Sequence, residues 1–478
     1  MQHTDSARVF GRASGILLGG QIAYYAIYLF SLRTILSTLP KAENGMLTFV
    51  QQWTAAAFSI AMMNGYNTFI IHHLRQDKQS EFHFSTIVWL RGGLAILTTA
   101  CIAIILHTVS NVPLALSIVG ALAVMVTTRG LALRTTLELP LHARMHFGVV
   151  TTLSILDVAL FAFLLNRAQQ SLNAYTVLRL QVLSALPSFL VLAILALRSG
   201  ALQFSFDRNT LRALVHTARP LSTVALFVAL HTMLDITILR LVGTAEMVGI
   251  FGASSYAGLP ASVLMGVLWT PLVPMLSSTL HADHDTALER IGQAIRIVTV
   301  VIGITTCLVA AAAPIVVEVL TQGAYRNHSS VFALQAWLVM LTAIVFALQQ
   351  IGGLLEHYVI AAIAVALLVA GSLMFDWWFV TAFGVEGIVF AKASSHLLAI
   401  GGASLLLVRR DMPALANVLV RLTIWSLLAG SSILLGEYVP AWLAHVTVVI
   451  VITLGSAVVL GIIRRSDWAL FRRVIFPH

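Results

Sequence analysis

The ionisable side chains that interrupt apolar stretches are the residues on which any chemistry of this chain would depend. Asp157 stands midway through VVTTLSILDVALFAFLL, and His231 and Asp235 lie one helical turn apart in HTMLDITILRLV. Arg179 falls in AYTVLRLQVL, while Lys392 and His396 share one helical face in GIVFAKASSHLLAI. Arg91 and Arg129 complete the set. An ionised group at the centre of a membrane span costs about 2.5–3.5 kcal/mol on insertion scales, so each needs a partner, a cavity or a route to the surface. The types suit the handling of charge: cations to hold an acidic or phosphate-bearing cargo, and acids beside a histidine to carry a coupling ion. No catalytic or metal-ligating set is expected among them.

Position separates these residues. Arg91 and Arg240 sit near span ends, where a long side chain reaches the interface. Arg129 lies with Arg134 toward the inner end of the fourth span, whereas Arg179 lies about two turns inside the sixth and Lys392 deeper still in the twelfth. Asp157 has two readings, a partner of a base in its own half of the chain or a proton or sodium site, with Arg179 as a candidate counter-ion. His231 with Asp235 is a satisfied polar pair or a switch. Glu318 and Asp376 fall near the outer ends of spans and are expected to be solvated. The stripe Tyr24, Tyr25 and Tyr28 suits packing better than sugar stacking.

The elements that must position these groups are membrane helices. Of 478 residues, 59% are hydrophobic and 10% charged, against about 25% charged in soluble domains. With about 20 apolar residues per crossing, fourteen spans are expected, near 13–38, 46–71, 86–108, 112–137, 146–166, 173–197, 219–241, 248–278, 296–320, 330–352, 358–380, 384–408, 418–437 and 441–463. With a cytoplasmic N-terminus, nineteen Lys and Arg fall on inside segments and four, Arg33, Lys41, Arg167 and Arg326, on outside ones. That asymmetry places both termini in the cytoplasm and accounts for the basic excess without nucleic acid. Cys101 and Cys307 lie in apolar runs and read as core residues. Pro260, Pro271 and Pro274 predict a broken eighth span. No outer loop has room for a catalytic domain, so a membrane glycan polymerase or ligase is disfavoured.

Leu211, Leu214 and Val215 share a face in FDRNTLRALVHTARP, which predicts an amphipathic helix between two six-span lobes, and Ala287–Arg296 is expected to lie at the inner leaflet. The basic tail RRSDWALFRRVIFPH is expected there too. Domain boundaries follow: an N-terminal lobe over 1–197, a linker over 198–218, a C-terminal lobe over 219–410, and two further spans with a basic tail over 411–478. The segments SLRTILSTLPKAENG and ILRLVGTAEMVG match weakly at the outer ends of spans one and seven. Repeats six spans apart have the same orientation and place a substrate between the lobes.

Asp235, Leu239, Gly243, Gly249, Phe251, Pro260 and Pro274, then Ala-Pro-Ile with Gly323 and Tyr325, then Gly384, Gly387 and Ala391 in FGVEGIVFA, and Arg33 with Gly45, together resemble the polysaccharide and O-antigen flippases. These belong to the multidrug, oligosaccharidyl-lipid and polysaccharide exporter superfamily, and the resemblance covers roughly residues 10–410. Phe251 stands where the family usually has tyrosine. Spans one, two and eight lack the interior arginines of peptidoglycan-precursor flippases. The resemblance implies an all-α integral membrane protein, not an enzyme and without a cofactor. It would carry an undecaprenyl-diphosphate-linked oligosaccharide across a bacterial inner membrane, among membrane lipids and beside polysaccharide polymerase machinery. Arg179, Lys392, Arg129 and Arg91 are then the candidate substrate cations, and Asp157, Asp235 and His231 the candidate ion-coupling groups. A cation-coupled multidrug antiporter of the same fold is the alternative.

Overall fold

The computed structural model describes residues 2–62, 80–127, 132–144, 146–198, 207–280, 284–355, 357–436 and 442–462, and among them every regular element is helical. The chain falls into two compact units, residues 1–233 and 234–478. The first holds α1 (Gln2–Thr38), α2 (Lys41–Ala61), α3 (Ser80–Ser110), α4 (Leu114–Val126), α5 (Leu133–Ala143), α6 (Phe147–Arg167) and α7 (Ala174–Arg198). Helix α8 (Arg208–Val242) runs across the boundary. The second unit continues with α9 (Ala245–Ser255), α10 (Leu259–Leu280), α11 (His284–Ala311), α12 (Ala313–Thr321), α13 (Ser329–Leu354), α14 (Tyr358–Arg409), α15 (Pro413–Gly436) and α16 (Trp442–Val459).

Nine helices among the described residues are long and apolar enough to cross a membrane, and α4 and α16 are shorter apolar ones. With α1 and α2, and with α14 counted as two crossings, these helices account for the expected fourteen passes. Large apolar side chains stand exposed along them, Ile96 and Leu405 for example. Such a surface suits hydrocarbon, where a helix satisfies its own backbone polar groups. The protein is a multi-pass membrane protein.

Breaks in the helices have local causes. Thr244 caps α9, its hydroxyl accepting from the Met247 backbone N–H at 3.2 Å. A Cβ at Gly243 would come within 2.7 Å of the Leu239 carbonyl, so the turn closes tightly only with glycine. The eighth span breaks at a 3-10 turn, Tyr256–Gly258, which puts Pro260 in the first turn of α10, where its missing N–H costs nothing, whereas α10 runs unbroken through Pro271 and Pro274, contrary to the sequence expectation. In α14, Gly384 has φ 62° and ψ −132°, a backbone that a side chain would strain. There the 52-residue helix folds back: a Cβ on Gly371 would sit 2.7 Å from Ser395.

The segment Ala287–Arg296 is helical, with Glu289 and Arg290 exposed. It is the continuous start of α11, with Ile291, Ala294, Ile295 and Arg296 buried. The backbone of residues 208–219 is likewise helical and continuous with span seven. The basic tail lies outside the described residues.

The last two helices are bound into the second unit rather than loosely attached. The Trp337 indole N–H donates to the Ser426 carbonyl, and that of Trp425 to the Thr453 carbonyl, each at 2.8 Å. Gly303 lies beneath Trp425 and Gly430 beneath Trp337, each so close that a methyl would meet the ring within 2.5 Å. Trp425 is fully buried. Trp425→Ala should therefore cost about 3–5 kcal/mol, read as a lower melting temperature of the purified protein; an unchanged value would mean that α15 and α16 add little to the core.

Candidate functional site

Each unit buries a cluster of two carboxylates and one base. In the second unit, the fold-back at Gly384 sets Asp376 and Lys392 eight residues to either side of the kink, on helical halves that pack together. The Lys392 ammonium is ion-paired with Asp235 of α8, whose other carboxylate oxygen accepts from the Ser372 hydroxyl at 2.8 Å. Asp235 is 1% exposed, and Phe251 of α9 places its ring 5.7 Å from the ammonium, a cation–π contact in a desolvated setting. His396, one turn beyond Lys392, is held between the Lys392 carbonyl at 2.7 Å and the Thr342 hydroxyl at 3.3 Å.

Asp376 corrects the sequence expectation. It is fully buried, not solvated, and neither carboxylate oxygen has a hydrogen-bond partner among the described residues. Its charged neighbours are Asp235 and Lys392. The cluster thus holds two acids and one base in a space where a net charge is costly, and one bound proton or monovalent cation would balance it.

In the first unit Asp157 pairs with Arg134, not with Arg179. Arg134 is completely buried; its Nε donates to Glu138 at 3.0 Å, and its Nη1 reaches Asp157 and donates to Ser188 at 2.8 Å. Of the two sequence readings of Asp157, the structure shows the ion pair. Arg134 and Arg296, counted as inside surface charges, are both buried, and removing them leaves the charge asymmetry strong.

The other sequence candidates are dispersed. Arg91 is 4% exposed and donates to the Thr136 hydroxyl at 3.1 Å. Arg179 is exposed on α7, on a stripe shared with Tyr175, Leu183, Leu186 and Leu190. His231 is buried one turn before Asp235. Arg129 lies outside the described residues. Glu318 is exposed and pairs with Arg326 at 2.8 Å, as its place near a span end implies. Arg134, Glu138, Ser188 and Asp376 were missed as site residues. For Asp376 a signal existed, since it and Lys392 are equidistant from Gly384.

Comparisons with solved structures agree on the fold. Lipid II flippase MurJ in an inward closed conformation aligns with a TM-score of 0.64 at 10% identity, over 96% of this chain and 99% of that one. An inward-facing multidrug resistance MATE family transporter of the MOP superfamily aligns with a TM-score of 0.63 at 14% identity, over 82% and 95%. The Vibrio cholerae MATE transporter VcmN in the bent form gives 0.56 at 16%, over 88% and 100%. No curated protein matches the sequence significantly. Residues 39–329, more than half of the chain, match the family described as polysaccharide biosynthesis protein. The chain belongs to the polysaccharide biosynthesis protein family, built on the helical fold that it shares with MATE transporters and MurJ.

Proposed function

We propose that this protein flips an undecaprenyl-diphosphate-linked oligosaccharide, the repeat unit of an O-antigen, capsule or exopolysaccharide, across the bacterial inner membrane by alternating access, and that it is a transporter and not an enzyme. The observation that carries the reading is the match of residues 39–329 to polysaccharide biosynthesis proteins, on a fold shared over 96% of the chain with a lipid II flippase. The physical problem suits that fold. A sugar headgroup cannot cross about 30 Å of hydrocarbon unaided, and two lobes that part alternately would shield it while the lipid tail stays in the bilayer. The lobes are residues 1–197 and 219–410, with 198–218 as linker and 411–478 adding two spans.

Within this reading Asp235, Asp376 and Lys392 form the ion-coupling group, because their unequal charge makes occupancy by a small cation favourable. Lys392 also faces competition: a cargo phosphate that approaches its ammonium contends with Asp235. Arg179 is the exposed cation that would meet the cargo without breaking a buried pair, with Arg91, Arg129 and Arg134 supporting the first lobe. His231 orients the Asp235 turn.

The test is deletion of the gene followed by lipid extraction. Lipid-linked repeat units should accumulate in the cytoplasmic leaflet, and normal export would overturn the reading. Both termini should be cytoplasmic. Reporter fusions after Arg410 and at His478 are expected to be active only inside, and activity outside at either would refute this topology.

One observation favours a second reading, export of organic cations by antiport: both buried clusters contain more acids than bases. A cationic drug would complete such a cluster. Drug sensitivity of the deletion strain with normal glycan export would establish it.

A further inference from the structure

A cavity of about 390 Å³ opens between the start of α11, the start of α15 and the chain just after α16, all within the second unit. Arg296 of α11 and Arg421 of α15 line it, with Glu289 as the acidic lining residue. Arg296 is 8% exposed, and its Nη1 would lie 3.9 Å from a Cβ placed on Gly292. Arg421 is held in place from two sides: its Nε donates to Asn417 Oδ1 at 3.0 Å and its Nη1 to the Leu460 carbonyl at 3.3 Å. Gly461, at φ 61°, leaves space against the same guanidinium, where a Cβ would sit 3.5 Å from Nη1. A side chain at either glycine would therefore enter the space beside an arginine. Glu289 is itself exposed and accepts from Gln293 at 3.4 Å.

Among the described residues the charged groups of the lining are two guanidinium groups and one carboxylate, a composition that suits a monoanionic phosphodiester better than a dianionic phosphate monoester. Guanidinium forks suit phosphate oxygens. The surroundings are amphiphilic. Val420, Ile424, Leu427 and Leu428 continue from Arg421 along α15 as exposed apolar side chains, and Val451 and Val458 do so on α16. A free phosphate ion has no use for such a wall, whereas acyl chains do. Basic pockets between transmembrane helices near the membrane surface are a recurrent way of holding anionic lipid headgroups.

We propose that this cavity binds the phosphodiester headgroup of an anionic membrane phospholipid, with Arg296 and Arg421 on the phosphate and the acyl chains along α15 and α16. The bound lipid would tie α15 and α16 to α11 at the ends of these helices, where the Trp425 and Trp337 contacts do not reach. The site shares no residue with the Asp235 cluster, so it stands or falls independently of the cargo.

The experiment is native mass spectrometry of the purified full chain with phosphatidylglycerol, phosphatidylcholine of the same acyl chains, undecaprenyl phosphate and inorganic phosphate. One phosphatidylglycerol should be retained in preference to phosphatidylcholine. R296Q/R421Q should weaken that binding by about tenfold or more, the scale of one lost charge-assisted contact. Should the double variant fail to accumulate, Gly292→Val keeps both arginines but fills the cavity, and is expected to weaken binding likewise. Equal retention of the two phospholipids, or undiminished phosphatidylglycerol binding by the folded variants, would overturn the proposal. Displacement of phosphatidylglycerol by millimolar inorganic phosphate would make it a free-anion site, and tighter binding of undecaprenyl phosphate would make it a cargo site; either result also overturns it.

Discussion

Lys392→Met should leave little folded protein in the membrane, and what remains should not transport. The ammonium is ion-paired with Asp235, 1% exposed, and neighbours Asp376, which is fully buried with no hydrogen-bond partner among the described residues. Removing one member of a buried pair costs on the order of 3–5 kcal/mol, because the other charge is stranded, and native proteins have little more than that to lose. Replacing both members is far milder, so Lys392→Met combined with Asp235→Asn should recover much of the folded protein. Transport should not return with it if these groups couple an ion to movement. Lys392→Arg should keep partial activity, since the charge survives while the geometry changes. Accumulation measured by detergent-extracted size-exclusion profiles, beside glycan export in cells, reads both effects. Normal export by the double variant would reduce the cluster to a structural role.

Arg134→Met is expected to be as damaging in the first unit. Its guanidinium satisfies Glu138 and Asp157 at once, and these carboxylates are 4% and 8% exposed. Methionine fills much of the space but leaves two buried acids beside each other. Asp157→Asn should cost much less, because Arg134 keeps Glu138 and the asparagine oxygen can still accept. The melting temperature of Arg134→Met should therefore fall well below that of Asp157→Asn. The reverse order would be inconsistent with Arg134 as the shared counter-ion. A well-folded Asp157→Asn protein without transport would reveal an ion-handling role in addition to the pairing.

These two arginine and lysine positions show what the linear chain contains. Lys392 stands out because an ammonium inside an apolar run has no topological explanation. Arg134 does not, because it falls where a cytoplasmic loop would begin and its charge fits the inside pattern without further cause. Span length and apolar composition predict helices because the cost of unsatisfied backbone polar groups in lipid acts on each segment by itself. Gly243 was legible as a turn residue between two apolar runs, whereas Gly384 and Gly387 stood out only through the family resemblance. The structure gives Gly384 its positive φ and Gly387 its close approach to the Phe379 backbone.

Pairing is not local. Asp376, near the expected end of a span, reads as a surface acid until α14 folds back at Gly384 and carries it beside Asp235 and Lys392. Asp157 has two bases within reach of a sequence argument, Arg134 and Arg179, and only the packing of α5, α6 and α7 selects the first. Arg296 and Arg421 are more than a hundred residues apart and meet at one cavity only because α15 returns against α11. By itself the sequence determined that the chain crosses repeatedly as apolar helices and which residues it cannot easily leave in hydrocarbon, since each is a cost borne by one segment. Only the tertiary structure decided which charges neutralise each other, because a Coulombic partner is chosen by distance in space, and helices bring together residues that the chain keeps far apart.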